Sequence, residues 1–251
     1  EGGSRASYTD PKEPVEKQLA TRMEDMKQAK GAEKFIAYFQ SFTNTNAPVD
    51  RLKHTYDRIL PFNEIVGLSI GTRPDCIDAD KLKLIATYAD RYEVWLEYGL
   101  QSIHDRTLKA INRGHDFNDF LKAYDATKKK FIPVCVHVII GLPGETREDM
   151  IETARKLTEL RVDGVKIHLL HILKGSGLEK PHKEGKIKIM AQKEYVELAC
   201  DFLENLSEEI IIQRLTAQGN REDHIAPLWA LDKIGTINRI EDTLRKRNSY
   251  Q

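Results

Sequence analysis

Short apolar runs alternate along this chain with segments whose apolar residues recur at helical spacing. The runs begin about 30 residues apart, the length of one βα unit, and each is followed by a polar turn. This alternation is typical of a parallel sheet covered by helices and predicts an α/β fold. The spacing favours a barrel, or part of one, over a β-sandwich. The predicted strands are 35–39, 65–70, 94–96, 134–140 and 165–170, and the helices between them are 49–60, 79–90, 117–130 and 147–160.

Further elements are predicted on both sides of this alternation. A charged helix at 11–30 has prolines near its start, where the first helical turn tolerates them. After the last strand we expect a helix at 192–205, a short strand at 210–213 and a basic helix at 237–247. Segment 174–188 is rich in Gly and Lys and is predicted to be a mobile loop that could act as a lid.

The composition excludes several classes of protein. Lys plus Arg and Asp plus Glu both total 39 among 251 residues, so no overall basic field indicates a nucleic-acid partner. The apolar runs are far shorter than the roughly 20 residues needed to cross a bilayer. The first ten residues lack the pattern of a signal peptide. We therefore expect a cytoplasmic protein with no membrane contact.

The cysteines and histidines do not form a metal motif. Cys76, Cys135 and Cys200 are widely separated, which suits neither a disulfide framework nor a metal site, and we expect reduced thiols. His168 and His171 flank the end of the last predicted strand, but no carboxylate or third histidine stands at ligand spacing. The residues of this sequence are thus predicted to hold no metal ion.

Polar residues follow each predicted strand, where the catalytic face of a βα barrel lies. The five endings are QSFTNTNAP, GTRPD, EYGLQS, GLPGET and HILKGSGL. They hold amides, hydroxyls, glycines, one arginine and one carboxylate, with no nucleophile beside a base. Such a lining suits a polar small molecule and does not suit a hydrolase triad.

Each candidate in these endings also has a purely structural interpretation. Residues 40–45 could form a loop that caps the next helix. Arg73 could pair with a nearby aspartate at the surface. His137 could be a hydrogen-bonded core histidine rather than a ligand-binding one. Glu97 is harder to dismiss, because a carboxylate between Leu96 and Tyr98 would be costly to bury without partners.

Four motifs in this order resemble the radical S-adenosylmethionine (SAM) enzymes. EYGLQSIHDRTLKAINRGHD at 97–116 and VHVIIGLPGETREDM at 136–150 are similar to the elongator catalytic subunit and the oxygen-independent coproporphyrinogen oxidases. GTRPD at 71–75 resembles the elongator type. YFQSFTNTNAPV at 38–49 and the ending at 225–251 resemble the YhcC/YtqA-like radical SAM family, so the resemblance covers nearly the whole chain.

The resemblance implies a partial (β/α)6 TIM-like barrel at 1–190 and a C-terminal helical extension at 191–251. It also implies S-adenosylmethionine and a 4Fe-4S cluster, which the family binds through a CxxxCxxC-type loop. The 251 residues contain no such motif. We expect the cluster cysteines and the first barrel strand upstream of Glu1, and we expect the chain without them to be inactive.

The resemblance also assigns S-adenosylmethionine contacts at the strand ends. Gln40, Ser41 and Thr43 would face the methionine amino group, Gln101 and Arg113 the methionine end, and Thr72, Arg73 and His137 the ribose and methionyl group. Gly141 would begin a shelf for the adenosine, and Leu170 and His171 would lie near the adenine. Glu97, at the end of a predicted strand, joins this set of expected cofactor-binding residues.

The implied reaction is reductive cleavage of S-adenosylmethionine to a 5′-deoxyadenosyl radical, with an electron donor such as flavodoxin or ferredoxin. Elongator-like enzymes suggest the wobble uridine of tRNA as substrate. Two groups of cations could contact its phosphates or be ordinary solvated faces: Arg239, Arg245, Lys246 and Arg247, and Lys183, Lys186 and Lys188. A small metabolite or porphyrin-like acid, and a non-catalytic barrel that binds S-adenosylmethionine or RNA, remain alternatives.

Overall fold

A computed structural model of the chain describes residues 12–40, 43–217 and 221–249. The helices are α1 (Val15–Lys30), α2 (Val49–Tyr56), α3 (Ala79–Ala86), α4 (Asp105–Ala110), α5 (Phe117–Lys128), α6 (Arg147–Leu160), α7 (Glu179–Lys183), α8 (Gln192–Glu204) and α9 (Lys233–Arg247). The strands are β1 (Phe35–Phe39), β2 (Ile65–Thr72), β3 (Glu93–Gln101), β4 (Val134–Ile140), β5 (Gly164–Leu169), β6 (Ile172–Leu173), β7 (Ile211–Arg214) and β8 (His224–Ala226). None of the described helices is long and apolar enough to cross a membrane.

The sheet order β1-β2-β3-β4-β5-β7 follows the chain, as expected for successive βα units. The chain divides into two compact units, of which unit 1 comprises Glu1–Gly99 and Asn118–Val134 and unit 2 comprises Leu100–Phe117 and Cys135–Gln251. In unit 1, β2 pairs in parallel with β1 and with β3. In unit 2, β5 pairs in parallel with β4 and with β7, and β6 pairs antiparallel with β8.

Each unit buries its own apolar core along its strands. In unit 1, Leu68, Ile70 and Leu96 are fully buried. In unit 2, Val136 and Ile167 are fully buried as well, and α8 packs against α6 and α9. Strands of a parallel sheet are buried on both faces, which explains why they appear in the sequence as nearly continuous apolar runs.

Local side-chain signals explain where several helices begin. Thr146 and Asp149 form a capping box at α6, because the Thr146 hydroxyl accepts from the Asp149 amide and the Asp149 carboxylate accepts from the Thr146 amide. Asp78 caps α3 by accepting from the Lys81 amide at 3.0 Å. Asp232 caps α9 by accepting from the Gly235 amide at 2.9 Å.

The predicted elements are confirmed in type, and several of them differ in extent. The helix predicted at 79–90 ends at Ala86, and the helix predicted at 49–60 ends at Tyr56. The strand predicted at 94–96 is longer, because the glutamate and glycine that follow remain in the ladder of β3. The last helix begins at Lys233 rather than at 237, after the Asp232 cap. Leu170 lies just beyond β5. The sequence analysis missed α4, β6 and β8, which are too short for periodicity to be visible.

The segment 174–188 is not the structureless loop that its composition predicts. It contains α7, where Lys183 Nζ lies 2.6 Å from a Glu179 carboxylate oxygen. The other carboxylate oxygen of Glu179 accepts from the Gly175 amide at 2.6 Å. These contacts fold the segment onto itself, and its role as a lid stays a prediction.

Candidate functional site

In unit 1, a buried carboxylate connects three strands. Glu97 on β3 is 2% exposed and accepts hydrogen bonds from the Tyr38 hydroxyl on β1, at 2.8 Å, and from the Ser69 hydroxyl on β2. Burial of an ionised carboxylate is costly unless such donors satisfy it. These donors satisfy the carboxylate within the fold, and the predicted role of Glu97 in cofactor binding stays a prediction.

Sequence reasoning missed both partners of Glu97. Ser69 carried a signal, since it is the one hydroxyl inside the apolar run at 65–70. Tyr38 carried none, because tyrosine is common in strands. The register of the strands explains why these three residues meet. Tyr38 pairs with Ser69, and Glu97 pairs with Gly71, two residues after Ser69 on β2.

The ends of β1 and β2 lie beside each other in unit 1. The Gln40 Cα is 3.6 Å from the position that a Cβ on Gly71 would occupy, and the Asn44 amide donates to the Gly71 carbonyl at 3.4 Å. The Thr72 hydroxyl lies 2.6 Å from the Thr45 hydroxyl. Thr43 belongs to the same turn and accepts at its carbonyl from the amide of residue 46. Ser41 lies outside the described residues.

Arg73 forms an ion pair with Asp75. Its Nε donates to one carboxylate oxygen at 2.8 Å and its Nη2 to the other at 2.6 Å. These two bonds raise the pKa of the Arg73 guanidinium. Arg73 thus forms the ion pair with a nearby aspartate that its structural interpretation predicts. A cofactor that contacts Arg73 would have to share the guanidinium with Asp75.

In unit 2, the segments after β3 and β4 are joined by a hydrogen bond between Ser102 and Glu145. The Ser102 hydroxyl donates to the Glu145 carboxyl group and accepts from the His104 amide at 3.0 Å. Burial raises the pKa of Glu145. Gln101, the last residue of β3, has a φ of 76°, in a region that non-glycine residues rarely adopt. This pair was not anticipated from the sequence.

Arg113 does not stand alone at its predicted position. Its Nε donates to His115 Nε2 at 3.1 Å, and His115 is buried. The Arg113 side chain is half-buried and is held by a buried histidine. Its predicted contact with the methionine end of the cofactor stays a prediction.

The ends of β4 and β5 are also adjacent in unit 2. The Leu170 amide donates to the Ile140 carbonyl at 3.0 Å, and the Leu170 Cβ is 3.9 Å from where a Cβ on Gly141 would stand. Gly141 has a φ of 89°, which a residue with a side chain adopts only with strain. Gly141 and the turn after it line a groove of about 480 Å³ together with Lys188 and Met190.

His171, which follows Leu170, has one nitrogen without a partner. One ring nitrogen of His171 is hydrogen-bonded to the Ala217 carbonyl, whereas Nε2 is buried and has no hydrogen-bond partner among the described residues. Burial, followed by the neighbouring His224, lowers the pKa of His171 to about 4. A neutral ring that donates from Nδ1 presents Nε2 as an acceptor.

The cations proposed for tRNA are largely engaged in ion pairs. Arg247 pairs with Glu197, Asp201 and Glu204, and Arg245 pairs with Asp242 at 2.8 Å. In segment 174–188, Lys183 pairs with Glu179, and a 2.7 Å pair joins Lys186 and Glu184. Because nearby carboxylates neutralise most of these charges, the residues make a less basic surface than the sequence predicts.

The three cysteines do not fit a 4Fe-4S cluster. Unit 1 holds Cys76 alone, and unit 2 holds Cys135 and Cys200. Cys135 is buried, and the buried Cys200 thiol lies 3.6 Å from the Ile240 carbonyl. Neither unit therefore offers the three or four thiolates that a cluster requires.

Comparison with known proteins defines the class of protein to which this fold and these strand ends belong. Residues 3–157 match the Radical SAM superfamily, and residues 162–246 match the Radical_SAM C-terminal domain. The chain belongs to the Radical SAM superfamily. Members of this superfamily are enzymes that use S-adenosylmethionine and a 4Fe-4S cluster.

Two similar proteins are uncharacterised. MJ0486 of Methanocaldococcus jannaschii is 42% identical over 246 residues, which are 97% of this chain and 76% of that protein. YtqA of Bacillus subtilis is 44% identical over 218 residues, which are 87% of this chain and 68% of that protein. The predicted YhcC/YtqA-like membership is thereby confirmed.

A solved structure confirms the fold class. Elp3 of Methanocaldococcus infernus, with residues 1–46 deleted, superposes with a TM-score of 0.74 at 20% identity, covering 94% of this chain and 60% of that one. SuiB of Streptococcus suis bound to S-adenosylmethionine has a TM-score of 0.51 at 12% identity, covering 68% and 37%. The chain has the α/β fold of the radical SAM partial barrel.

Proposed function

We propose that this protein is a radical S-adenosylmethionine enzyme that modifies the wobble uridine of tRNA. One observation carries the choice of substrate. The tRNA uridine(34) acetyltransferase of Methanocaldococcus infernus is 31% identical over 137 residues, which are 53% of this chain and 25% of that protein. The Elp3 fold of the solved structure is consistent with that choice.

The chain's own residues are proposed to bind S-adenosylmethionine at the strand ends. In unit 1, Gln40, Ser41 and Thr43 are assigned to the methionine amino group. Thr72 and Arg73 are assigned to the ribose and methionyl group. Glu97 on β3 is assigned to the same cofactor. In unit 2, the assignments are Gln101 and Arg113 for the methionine end, His137 for the ribose side, and Gly141, Leu170 and His171 for the adenosine.

His171 supports the placement of the adenine. The buried Nε2 of His171 has no hydrogen-bond partner among the described residues, which costs folding free energy, and a hydrogen-bond donor on a ligand would remove this cost. The exocyclic amino group of adenine is such a donor, and it matches the acceptor that a neutral His171 presents at Nε2. Gly141, with its positive φ, and the side chain of Leu170 lie at the neighbouring strand end, where an aromatic ring could pack without meeting a Cβ on residue 141.

Neither the cluster nor the substrate is assigned contacts among these residues. Because the three cysteines do not fit a cluster, no step through it is assigned to the side chains of this chain. An electron donor such as flavodoxin or ferredoxin belongs to the same proposal. The division into a barrel core at 1–190 and a helical extension at 191–251 is likewise proposed.

Deletion of the gene tests the substrate. We expect one modified nucleoside at tRNA position 34 to disappear from the nucleoside profile measured by liquid chromatography and mass spectrometry, and to return when the gene is restored. An unchanged profile would overturn the assignment to tRNA.

Calorimetry on the 251-residue chain tests the cofactor separately. We expect S-adenosylmethionine to bind, and His171→Asn to weaken binding by about 3- to 10-fold, the value of one hydrogen bond. His54→Asn, at an exposed histidine of α2, is the matched control and should bind as the unaltered chain does. Equal affinities for all three proteins would reject the adenine placement.

A further inference from the structure

Gln101, the last residue of β3, has a backbone conformation that costs free energy. Its φ of 76° lies in the left-handed region, where the Cβ of a residue other than glycine crowds the backbone. Among the described residues assigned to the cofactor, only Gly141 also has a positive φ. Such strain persists where neighbouring contacts fix it, and it is concentrated at functional sites. The contacts that fix Gln101 therefore bear on what its side chain does.

The Ser102 hydroxyl fixes the residue that follows Gln101. Ser102 is 1% exposed, and its hydroxyl accepts from the His104 amide at 3.0 Å while it donates to the Glu145 carboxyl group. The first bond closes a local turn, and the second connects that turn to the segment after β4. Because the hydroxyl is both donor and acceptor, the Ser102 side chain cannot change position without losing a bond.

His104 connects the same turn to α6. Its Nε2 lies 2.9 Å from the Asp149 carbonyl oxygen, which can only accept, so the ring donates. Asp149 also belongs to the capping box with Thr146 that fixes the start of α6. Segment 102–104 is therefore attached at two points to a capped helix and the turn before it. These attachments hold the backbone of Gln101 on its C-terminal side.

We propose that Ser102 and Glu145 are positioning residues, which hold the strained backbone of Gln101 so that its carboxamide is in place for the methionine end of S-adenosylmethionine. The contact between Gln101 and the cofactor comes from the proposed function, on which this inference rests. A side chain that is fixed before binding loses less conformational freedom when the ligand arrives, so its hydrogen bond contributes more to affinity. Ser102 and Glu145 act through Gln101 and touch no part of the cofactor.

Calorimetry on the 251-residue chain with S-adenosylmethionine tests this coupling in a double-mutant cycle. Gln101→Ala removes the contact and should weaken the affinity about 3- to 10-fold, the value of one hydrogen bond. Glu145→Ala should weaken it by a similar factor, and the double variant should bind as Gln101→Ala does. Glu145→Gln keeps a carbonyl acceptor for the Ser102 hydroxyl and should bind within about 2-fold of the unaltered chain.

NMR of the same chain without cofactor gives a second readout. The coupling between the amide and α protons of Gln101, with its backbone chemical shifts, reports its φ directly. We expect the left-handed conformation to be lost in Ser102→Ala and Glu145→Ala and kept in Glu145→Gln. The matched control is Glu148→Ala, at an exposed glutamate of α6, which should change neither the φ of Gln101 nor the affinity. Thermal unfolding of each variant establishes that it is folded.

Three results would overturn the positioning role and leave the proposed function intact. They are losses of affinity that add in the double variant, which would mean that Glu145 contacts the cofactor itself, a left-handed Gln101 that persists in Ser102→Ala and Glu145→Ala, and equal losses in Glu145→Ala and Glu148→Ala. Failure of the proposed function is distinguishable. No binding of S-adenosylmethionine by the unaltered chain would overturn the cofactor assignment and, with it, the role of Gln101.

Discussion

The polar residues on the strands of unit 1 and those on the strands of unit 2 are organised in opposite ways. Glu97 is a buried anion held by the neutral hydroxyls of Tyr38 and Ser69. In unit 2, Lys166 on β5 pairs in register with Arg214 on β7, and Arg214 Nη1 lies 3.5 Å from His168 Nε2. The anion of unit 1 is satisfied by neutral donors, whereas in unit 2 burial and the neighbouring basic groups lower the pKa of His168.

The sharpest test of this comparison concerns iron. Neither unit offers the three or four thiolates that a 4Fe-4S cluster needs, so anaerobic reconstitution of the 251-residue chain should leave no cluster absorption and only substoichiometric iron. Iron analysis and visible spectroscopy measure this. A stable cluster on these residues alone would contradict the conclusion that the cysteines of neither unit can hold one.

Acid should destabilise unit 2 through His171. Its pKa of about 4 in the folded state lies below its ordinary value of 6.5, so the neutral ring favours folding. The stabilisation is complete above pH 6.5 and is lost as the pH falls towards 4, by up to about 3 kcal/mol. Urea unfolding of the unaltered chain and of His171→Asn at several pH values measures it. Parallel stability curves for the two proteins would refute the effect.

Loss of one donor to Glu97 should destabilise unit 1. Tyr38→Phe removes a hydroxyl that donates to a buried carboxylate, and we expect the free energy of unfolding to fall by about 1.5–3 kcal/mol. Tyr92→Phe is the matched control, because the buried Tyr92 hydroxyl has no hydrogen-bond partner in the described structure. It should be neutral or slightly stabilising. Denaturant unfolding that gives the same loss for both variants would show that the bond to Glu97 contributes nothing.

Helix caps should behave alike in the two units, since they depend only on local contacts. Asp78→Ala at α3 and Asp232→Ala at α9 should each cost about 1 kcal/mol of unfolding free energy. Asp80→Ala, in the first turn of α3 but without a capping bond, should cost less. The same unfolding measurements decide this, and a cap effect confined to one unit would mean that tertiary packing dominates there.

The fold was largely predictable because its signals are local. The apolar run at 134–140 and the helical pattern at 147–160 coincide with β4 and α6. The spacing of these elements predicted a barrel, and the sequence motifs around Gly141 indicated the superfamily. The short elements α4, β6 and β8 were missed because a few residues cannot display a period.

The candidate site was predictable only as separate residues. Glu97 and His137 were selected because polar residues in apolar strands are unusual. Their partners Ser69 and His168 come from strands about 30 residues away, roughly one βα unit, and Tyr38 lies 59 residues from Glu97. Register between strands decides which side chains meet, and no pattern within a single strand specifies it. Because the sequence of one helix does not show which residues of other elements lie beside it, the cations of the last helix were predicted to contact tRNA phosphates. In the structure, Arg247 forms ion pairs with three carboxylates.

If the adenine of S-adenosylmethionine packs at the end of β5 as proposed, the tautomer of His171 discriminates between purines. With Nδ1 committed to the Ala217 carbonyl, Nε2 presents a lone pair and no proton. A purine with an exocyclic amino group meets that lone pair with a hydrogen, whereas a deaminated purine meets it with a carbonyl oxygen and the two acceptors repel. An inosine analogue of S-adenosylmethionine would therefore be rejected by a side chain that carries no charge at neutral pH.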